Sequence, residues 1–171
     1  EMSAFKTMFD YDLEPEVYSF RLLDALVKAA EKEGITGWPV HIKLDTGMHR
    51  LGFTKEQIPA LIKLLKSQSV IKPASMFSHL CVADEPSQDT YTMQQFAYFE
   101  ECTAMIQAEF SHYILRHILN TTGIVRFPDK QFDMVRIGIG LYGIKTMFDH
   151  SEDALKPVSS LHSVVISIKE W

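Results

Sequence analysis

Apolar residues recur along the 171-residue chain in two alternating rhythms, a helical one and a strand-like one of period two. FKTMFDYD (5–12) predicts a short strand. LEPEVYSFRLLDALVKAAEKEG (13–34) sets Val17, Phe20, Leu23, Val27 and Ala30 at helical spacing, with Pro15 suited to a first turn and Gly34 to a stop, and predicts a helix. PVHIKLD (39–45) alternates and predicts a second strand. Thr54 followed by Gln57 is a capping-box signature for a helix carrying Ile58, Leu61, Ile62 and Leu65 on one face. ASMFSHL (74–80) reads as a third strand, and residues 90–110 as a long helix with Phe96, Phe99, Thr103, Ile106 and Phe110 inward. YILRHILN (113–120) is a fourth strand, and FDMVRIGIGLYGI (132–144) contains a fifth.

Strands that alternate with helices in this way predict βαβ units and a parallel sheet. The rhythm changes after Pro157, where SSLHSVVISIKEW alternates like a strand of an antiparallel sheet. The expected division is therefore an α/β domain over 1–150 and the start of a β-rich domain over 151–171. The opening Glu1 and a stop inside an apolar alternation are read as the ends of a piece cut from a longer chain.

Composition narrows the functional classes. At 46% hydrophobic, the chain can build one sizeable core or part of a larger one. A net charge of −5 with no run of Lys or Arg argues against nucleic acid as a partner. Cys81 and Cys102 are too few for a disulfide framework, which fits a reducing cytoplasm. No apolar stretch is long enough for a membrane span, and no histidine spacing suggests a metal site.

Polar residues collect at the predicted strand ends. HIKLDTGMHRLGF (41–53) carries His41, Lys43 and Asp45 on one strand face, then an arginine between two glycines. The third strand ends in Ser78 and His79, and the fourth in His117, Asn120 and Thr121. In a β/α barrel the C-terminal strand ends form one rim, so these groups would converge. Arg136 sits inside an apolar run and needs an acceptor, since a buried guanidinium left unpaired is costly. Gly138 and Gly140 follow it and leave backbone N–H groups that a phosphate could approach. Each feature also has a plainer reading. Lys43 and Asp45 could be a structural ion pair, His79 a packed histidine, His117 a supporting neighbour, and the glycines a close sheet–helix contact.

The segments KLDTGMHRLGF, FSHLCVADE, LNTTGIVRFPD and DMVRIGIGLYG stand in the order and spacing of alanine racemases, and the chain resembles that family over nearly its whole length. The resemblance implies pyridoxal phosphate as cofactor and an N-terminal (β/α)8 TIM barrel followed by a C-terminal β-domain. This chain would be a partial barrel, about strands four to eight, with the first strand of the β-domain. The activity implied is interconversion of L- and D-alanine for peptidoglycan synthesis in the cytoplasm. By position, Arg136 would donate to the cofactor's pyridine nitrogen, His117 would bond Arg136, and His79 would pack against the pyridine ring. Thr121, Gly138 and Ile139 would hold the phosphate, with Asn120 beside them. Arg50 would meet the cofactor's phenolic oxygen and the substrate carboxylate, and Met48 would line the substrate site. Lys43 matches a lysine that the family carbamylates, turning a cation into an anion that orients Arg50.

LEPEVYSFRLLDAL and GIVRFPDKQFDMVR are similar to Bacteroides-type racemases, which implies a homodimer and, in many of that group, fusion to a cell-wall peptide ligase. His49 stands where the family usually has glycine, and Thr121 where serine is commoner. The family's Schiff-base lysine lies in a Lys-Ala-Asn-Ala-Tyr-Gly-like motif, and no such motif occurs here. Its second base, a tyrosine of the partner subunit's β-domain, would lie beyond Trp171, so this chain alone is expected to be inactive. Two other readings stand beside this one: a racemase of another small amino acid, and a non-catalytic pyridoxal-phosphate-binding barrel. The latter group lacks the DTGM…R turn and the β-domain.

Overall fold

A computed structural model describes residues 4–144 and 155–169. Four strands, β1 (Glu16–Val17), β2 (Trp38–Lys43), β3 (Ile71–Phe77) and β4 (Leu115–His117), form one parallel sheet in that order. Helix α1 (Phe5–Asp10) precedes β1, α2 (Phe20–Lys32) joins β1 to β2, α3 (Ile58–Lys66) joins β2 to β3, and α4 (Asp89–Gln107) joins β3 to β4. A short helix α5 (Thr121–Arg126) follows β4. Each crossover carries a helix because neighbouring strands run the same way and must be reconnected over the sheet.

The two faces of the sheet differ in chemistry. Val17, Val40, Ile42 and Met76 are fully buried in one core with Leu23, Leu26 and Ala30 of α2, Ile58 and Leu61 of α3, and Phe96, Phe99 and Ile106 of α4. The opposite side chains, at Glu16, His41, Lys43, Ser75, Phe77 and His117, are polar or aromatic and lie side by side by register: Glu16 beside His41, His41 beside Ser75, and Lys43, Phe77 and His117 abreast. A register shift between Val40 and His41 gives β3 one extra residue there, which brings Ser75 opposite His41.

Several elements differ from the sequence pattern. Residues 5–12 form helix α1 where a strand was expected: Phe5, Met8 and Phe9 share a helical face, Lys6 pairs with Asp10 one turn on at 2.9 Å, and Phe9 meets Trp38 edge-on at 5.1 Å. The expected helix over 13–34 begins only at Phe20. Ser19 caps it by accepting from Leu22 N at 3.3 Å, the Pro15 carbonyl accepts from His41 N at 3.0 Å, and Val17 is buried as a strand residue instead.

Residues 132–144 form no strand. Asp133 N bonds the Arg116 carbonyl and Arg136 N the Leu119 carbonyl, each at 3.1 Å, yet the Asp133 carboxylate takes the Arg116 N–H at 2.8 Å, a donor that a continuing ladder needs. The segment then turns into a short 3₁₀ helix at Ile139–Tyr142. The strand expected after Pro157 is also absent over 155–169. Leu161 and Ile166 are 98% and 94% exposed, and no described strand lies beside them to complete a ladder. Residues 145–154, 170 and 171 lie outside the described part, so the 151–171 domain assignment is reached only in part.

Candidate functional site: a cavity at the strand ends

The carboxyl ends of β2, β3 and β4 and the segment after Asp133 enclose a cavity of about 490 Å³. Met48, His79, Asn120 and Thr121 line it, together with Arg136, Gly138 and Ile139. Those seven predicted positions thus come together. Lys43 and His117 are buried on the polar sheet face behind it, and Arg50 is exposed on the loop after β2.

Arg136 is the best-tethered side chain at the cavity. Its guanidinium donates to His117 Nδ1, to the Ser78 carbonyl at 2.5 Å and to the Ile118 carbonyl at 3.4 Å. It is only half-buried, because one side faces the cavity. Phe77 lies beneath the group: its ring stacks on His117 at 5.0 Å and 6°, with the Lys43 ammonium at 4.5 Å and the Arg136 carbon at 5.2 Å from its centroid. Burial pulls Arg136 below its usual value, opposed by Glu16, but an arginine remains protonated. Arginine has no acceptor, so His117 Nδ1 must be unprotonated. Burial, then the charges of Arg136, His41 and Lys43, press His117 down to about 4, which keeps it neutral. His79 is lowered by burial and by Arg136, Lys43 and Arg50.

Lys43 does not pair with Asp45. Its ammonium lies 3.5 Å from Glu16, and burial lowers its pKa against that carboxylate's attraction, with Arg136 and Arg50 adding to the lowering. Asp45 shapes the turn instead, accepting from Gly47 N at 3.1 Å and His49 N at 2.9 Å. His49 consequently adopts a φ of 54°, unusual for a residue with a side chain, and its ring lies 3.5 Å from Asp45. Gly52 closes the turn at a φ of 128°, where a Cβ would stand 2.5 Å from Asp45 N. The loop that carries Met48 and Arg50 is therefore pinned at both ends.

Thr121 carries the second polar wall. Its hydroxyl oxygen accepts from Gly138 N at 3.0 Å and Gly140 N at 3.2 Å. With both lone pairs engaged, the Thr121 hydroxyl can only donate its proton, and no acceptor for it is found among the described residues. A Cβ at Gly140 would stand 2.6 Å from Thr121 Cγ2, so the close approach requires glycine. Asn120 serves the architecture: it caps α5 by accepting from Gly123 N at 2.9 Å and donates to the Leu80 carbonyl at 3.2 Å. A permanent cation at one wall and a free hydroxyl donor at another suit an anionic, phosphate-bearing ligand. Pyridoxal phosphate fits that donor set.

Three contributors were not singled out from the sequence. Phe77 is the aromatic floor. Ser75 joins His41 to His117 with hydrogen bonds of 2.7 and 3.1 Å. Gln95 of α4 is buried and donates to the His79 carbonyl at 3.2 Å while accepting from Cys81 N at 3.2 Å, which ties the β3 exit loop to the helix. A glutamine on the same helical stripe as Thr92, Phe96 and Phe99 was the available signal for it.

A parallel sheet with helical crossovers and a polar pocket at its carboxyl ends is the arrangement of an α/β ligand-binding domain. The sequence family described as alanine racemase, N-terminal domain, matches residues 1–146, and the chain belongs to that family. An alanine racemase of Aeromonas hydrophila is 34% identical over 163 residues, which is 93% of this chain and 43% of the relative. Alanine racemase 1 of Oceanobacillus iheyensis is 33% identical over 156 residues, 91% of this chain and 40% of the relative. The structure of the Clostridium difficile alanine racemase in complex with cycloserine superposes with a TM-score of 0.79 at 29% identity, over 92% of this chain and 43% of that one. That of Corynebacterium glutamicum gives 0.76 at 27%, over 90% and 42%. The chain thus spans less than half the length of these relatives. Among the described residues no helix is long and apolar enough to cross a membrane, and no cluster of metal-binding side chains occurs.

Proposed function

We propose that the chain forms the cofactor- and carboxylate-positioning part of an alanine racemase that interconverts L- and D-alanine for peptidoglycan synthesis in the cytoplasm. The observation that carries this reading is the pairing of Arg136, fixed by His117 and two carbonyls, with the free Thr121 donor across one cavity. Thr121 and the Ile139 backbone would hold the phosphate of pyridoxal phosphate, joined by Gly138 as its N–H passes from the Thr121 hydroxyl to the phosphate, while His79 would pack on its ring and Arg136 would face its ring nitrogen. Pyridoxal phosphate supplies the electron sink that makes the amino acid's α-proton removable. Arg136, never a base, keeps a proton on its own side of the contact, so electron withdrawal stays limited and side reactions are held down. Arg50, exposed on the loop that carries Met48, would clamp the alanine carboxylate beside it.

The lowered Lys43 pKa favours the neutral amine that can attack carbon dioxide; an N–C bond forms, a proton leaves, and an anionic carbamate results. The carbamate would turn from Glu16 toward Arg50. Intact mass and a carbamate-specific carbon resonance would detect it. The LEPEVYSFRLLDAL and GIVRFPDKQFDMVR stretches support a Bacteroides-type enzyme, a homodimer in which a lysine and a partner tyrosine act as the two bases, of the group in which fusion to a cell-wall peptide ligase occurs.

Adding pyridoxal phosphate to the 171-residue chain tests this reading. Saturable, non-covalent binding is expected, without the absorbance of a lysine adduct and without D-alanine production. The complete polypeptide that carries this chain is expected to racemise alanine. No cofactor binding by the chain would overturn the reading, and turnover by the chain alone would overturn the division of labour.

A further inference from the structure

A line of hydrogen bonds crosses the polar face of the sheet from solvent to the cavity. Glu14 Oε2 lies 2.9 Å from His41 Nε2, His41 Nδ1 lies 2.7 Å from Ser75 Oγ, and Ser75 Oγ lies 3.1 Å from His117 Nε2. His117 Nδ1 then accepts from Arg136. Glu14 is 46% exposed, whereas Ser75 is 1% exposed and has no water to turn to.

With His41 singly protonated and Glu14 ionised, the donor inventory of these groups leaves one proton arrangement. Arg136 only donates, so His117 is protonated at Nε2 and donates to Ser75. Ser75 has a single hydrogen and gives it to His41 Nδ1. His41 must then carry its proton on Nε2, where the Glu14 carboxylate accepts it. Ser75 Oγ by itself can accept from both histidines, but a proton on the Nδ1 of neutral His41 would leave its bare Nε2 facing the Glu14 carboxylate, acceptor against acceptor. A histidine caught between two partners has its tautomer set by the outer one, just as a metal-bound histidine is set by its carboxylate.

We infer that Ser75, His41 and Glu14 are positioning residues that act through His117 to hold Arg136 toward the cavity, with Glu14 setting the proton order of the whole line from the protein surface. The line uses the register shift in β2 and β3 that brings Ser75 opposite His41. The role of Arg136 toward a pyridine ring rests on the proposed function, but the proton order is a property of the chain without cofactor.

Ring-nitrogen NMR of the 171-residue chain with labelled histidine, at neutral pH and without cofactor, reads the tautomers directly. The expected result is an Nε2–H form at both His41 and His117. Glu14→Ala, a substitution at a half-exposed side chain, should admit the Nδ1–H form of His41 and shift the His117 ring nitrogens in step, although Glu14 does not touch His117. In a Ser75→Ala background the same Glu14→Ala change should leave His117 still, which is the double-mutant signature of a coupled pair. A plain packing role predicts no such transmission. An Nδ1–H form of His117 in the parent chain overturns the inference. So does a His117 signal unmoved by Glu14→Ala, or one that still moves when Ser75 is alanine. Failure of the proposed function would appear separately, as absence of cofactor binding in the titration.

Discussion

Arg136 spends its fork on one ring nitrogen and two backbone carbonyls, so its orientation is fixed before any ligand arrives. Leucine at this position would remove the donor to His117 Nδ1 and to both carbonyls. In the proposed racemase, Arg136→Leu is expected to lower kcat by roughly 10²–10³-fold, the usual loss for a preorganised donor, and to raise transamination-type by-products. An unchanged rate and product distribution would remove Arg136 from the cofactor's side. Thr121 gives a second test at the same scale. Thr121→Val keeps the shape and loses a hydroxyl, so affinity for pyridoxal phosphate should fall by about 1.5–3 kcal/mol, the worth of a hydrogen bond to a charged group. Thr121→Ser should retain it; equal affinities for all three proteins would place the phosphate elsewhere.

At the scale of elements, the middle of the chain was legible because each signal there is local and repeated. Ile58, Leu61 and Leu65 show their helical stripe directly, and the Thr54–Gln57 box forms as read, Gln57 Oε1 accepting from Thr54 N at 3.0 Å. The misread elements were decided by partners distant in sequence. Val17 fits a helical pattern until Pro15 and Val17 meet β2, and the alternation of 132–144 fails as a strand because Asp133 binds Tyr113 and the Arg116 backbone. At the site, the strand-end positions were readable one by one, but the Glu16 partner of Lys43 and the bridging Ser75 depend on register, which no single segment shows. Gln95 is a further case, buried on a helix yet serving two backbone groups of the loop after β3. Gln95→Leu would take the protein partner from the half-buried Cys81 N–H and His79 carbonyl, at about 1 kcal/mol for each. The urea midpoint should fall with the slope unchanged; a midpoint within error of the parent would show that both backbone groups find other partners.

Across the whole molecule, one sheet separates an apolar core from a face carrying Lys43, Arg136, His41, His117 and the Glu16 carboxylate. That face puts cations near a buried neutral histidine, and its consequence is a definite pH dependence of stability. His117 is held near 4 in the folded chain by burial and by Arg136, His41 and Lys43, against 6.5 for an ordinary histidine. Between those values the unfolded chain binds a proton that the folded chain refuses, so stability rises with pH through the window. The contribution is complete above about 6.5 and is lost as pH falls toward about 4. A shift of that size corresponds to roughly 3 kcal/mol, and the 5% exposure of His117 leaves little solvent to screen it. His79, lowered by the same charges, adds in the same direction. Denaturant unfolding across this range should therefore show stability climbing from acid to neutral. His117→Gln, which has no proton to gain, should flatten the climb even where its absolute stability is lower. A slope identical in the parent and in His117→Gln would show that the acid sensitivity comes from carboxylates elsewhere and that His117 does not titrate against its fold.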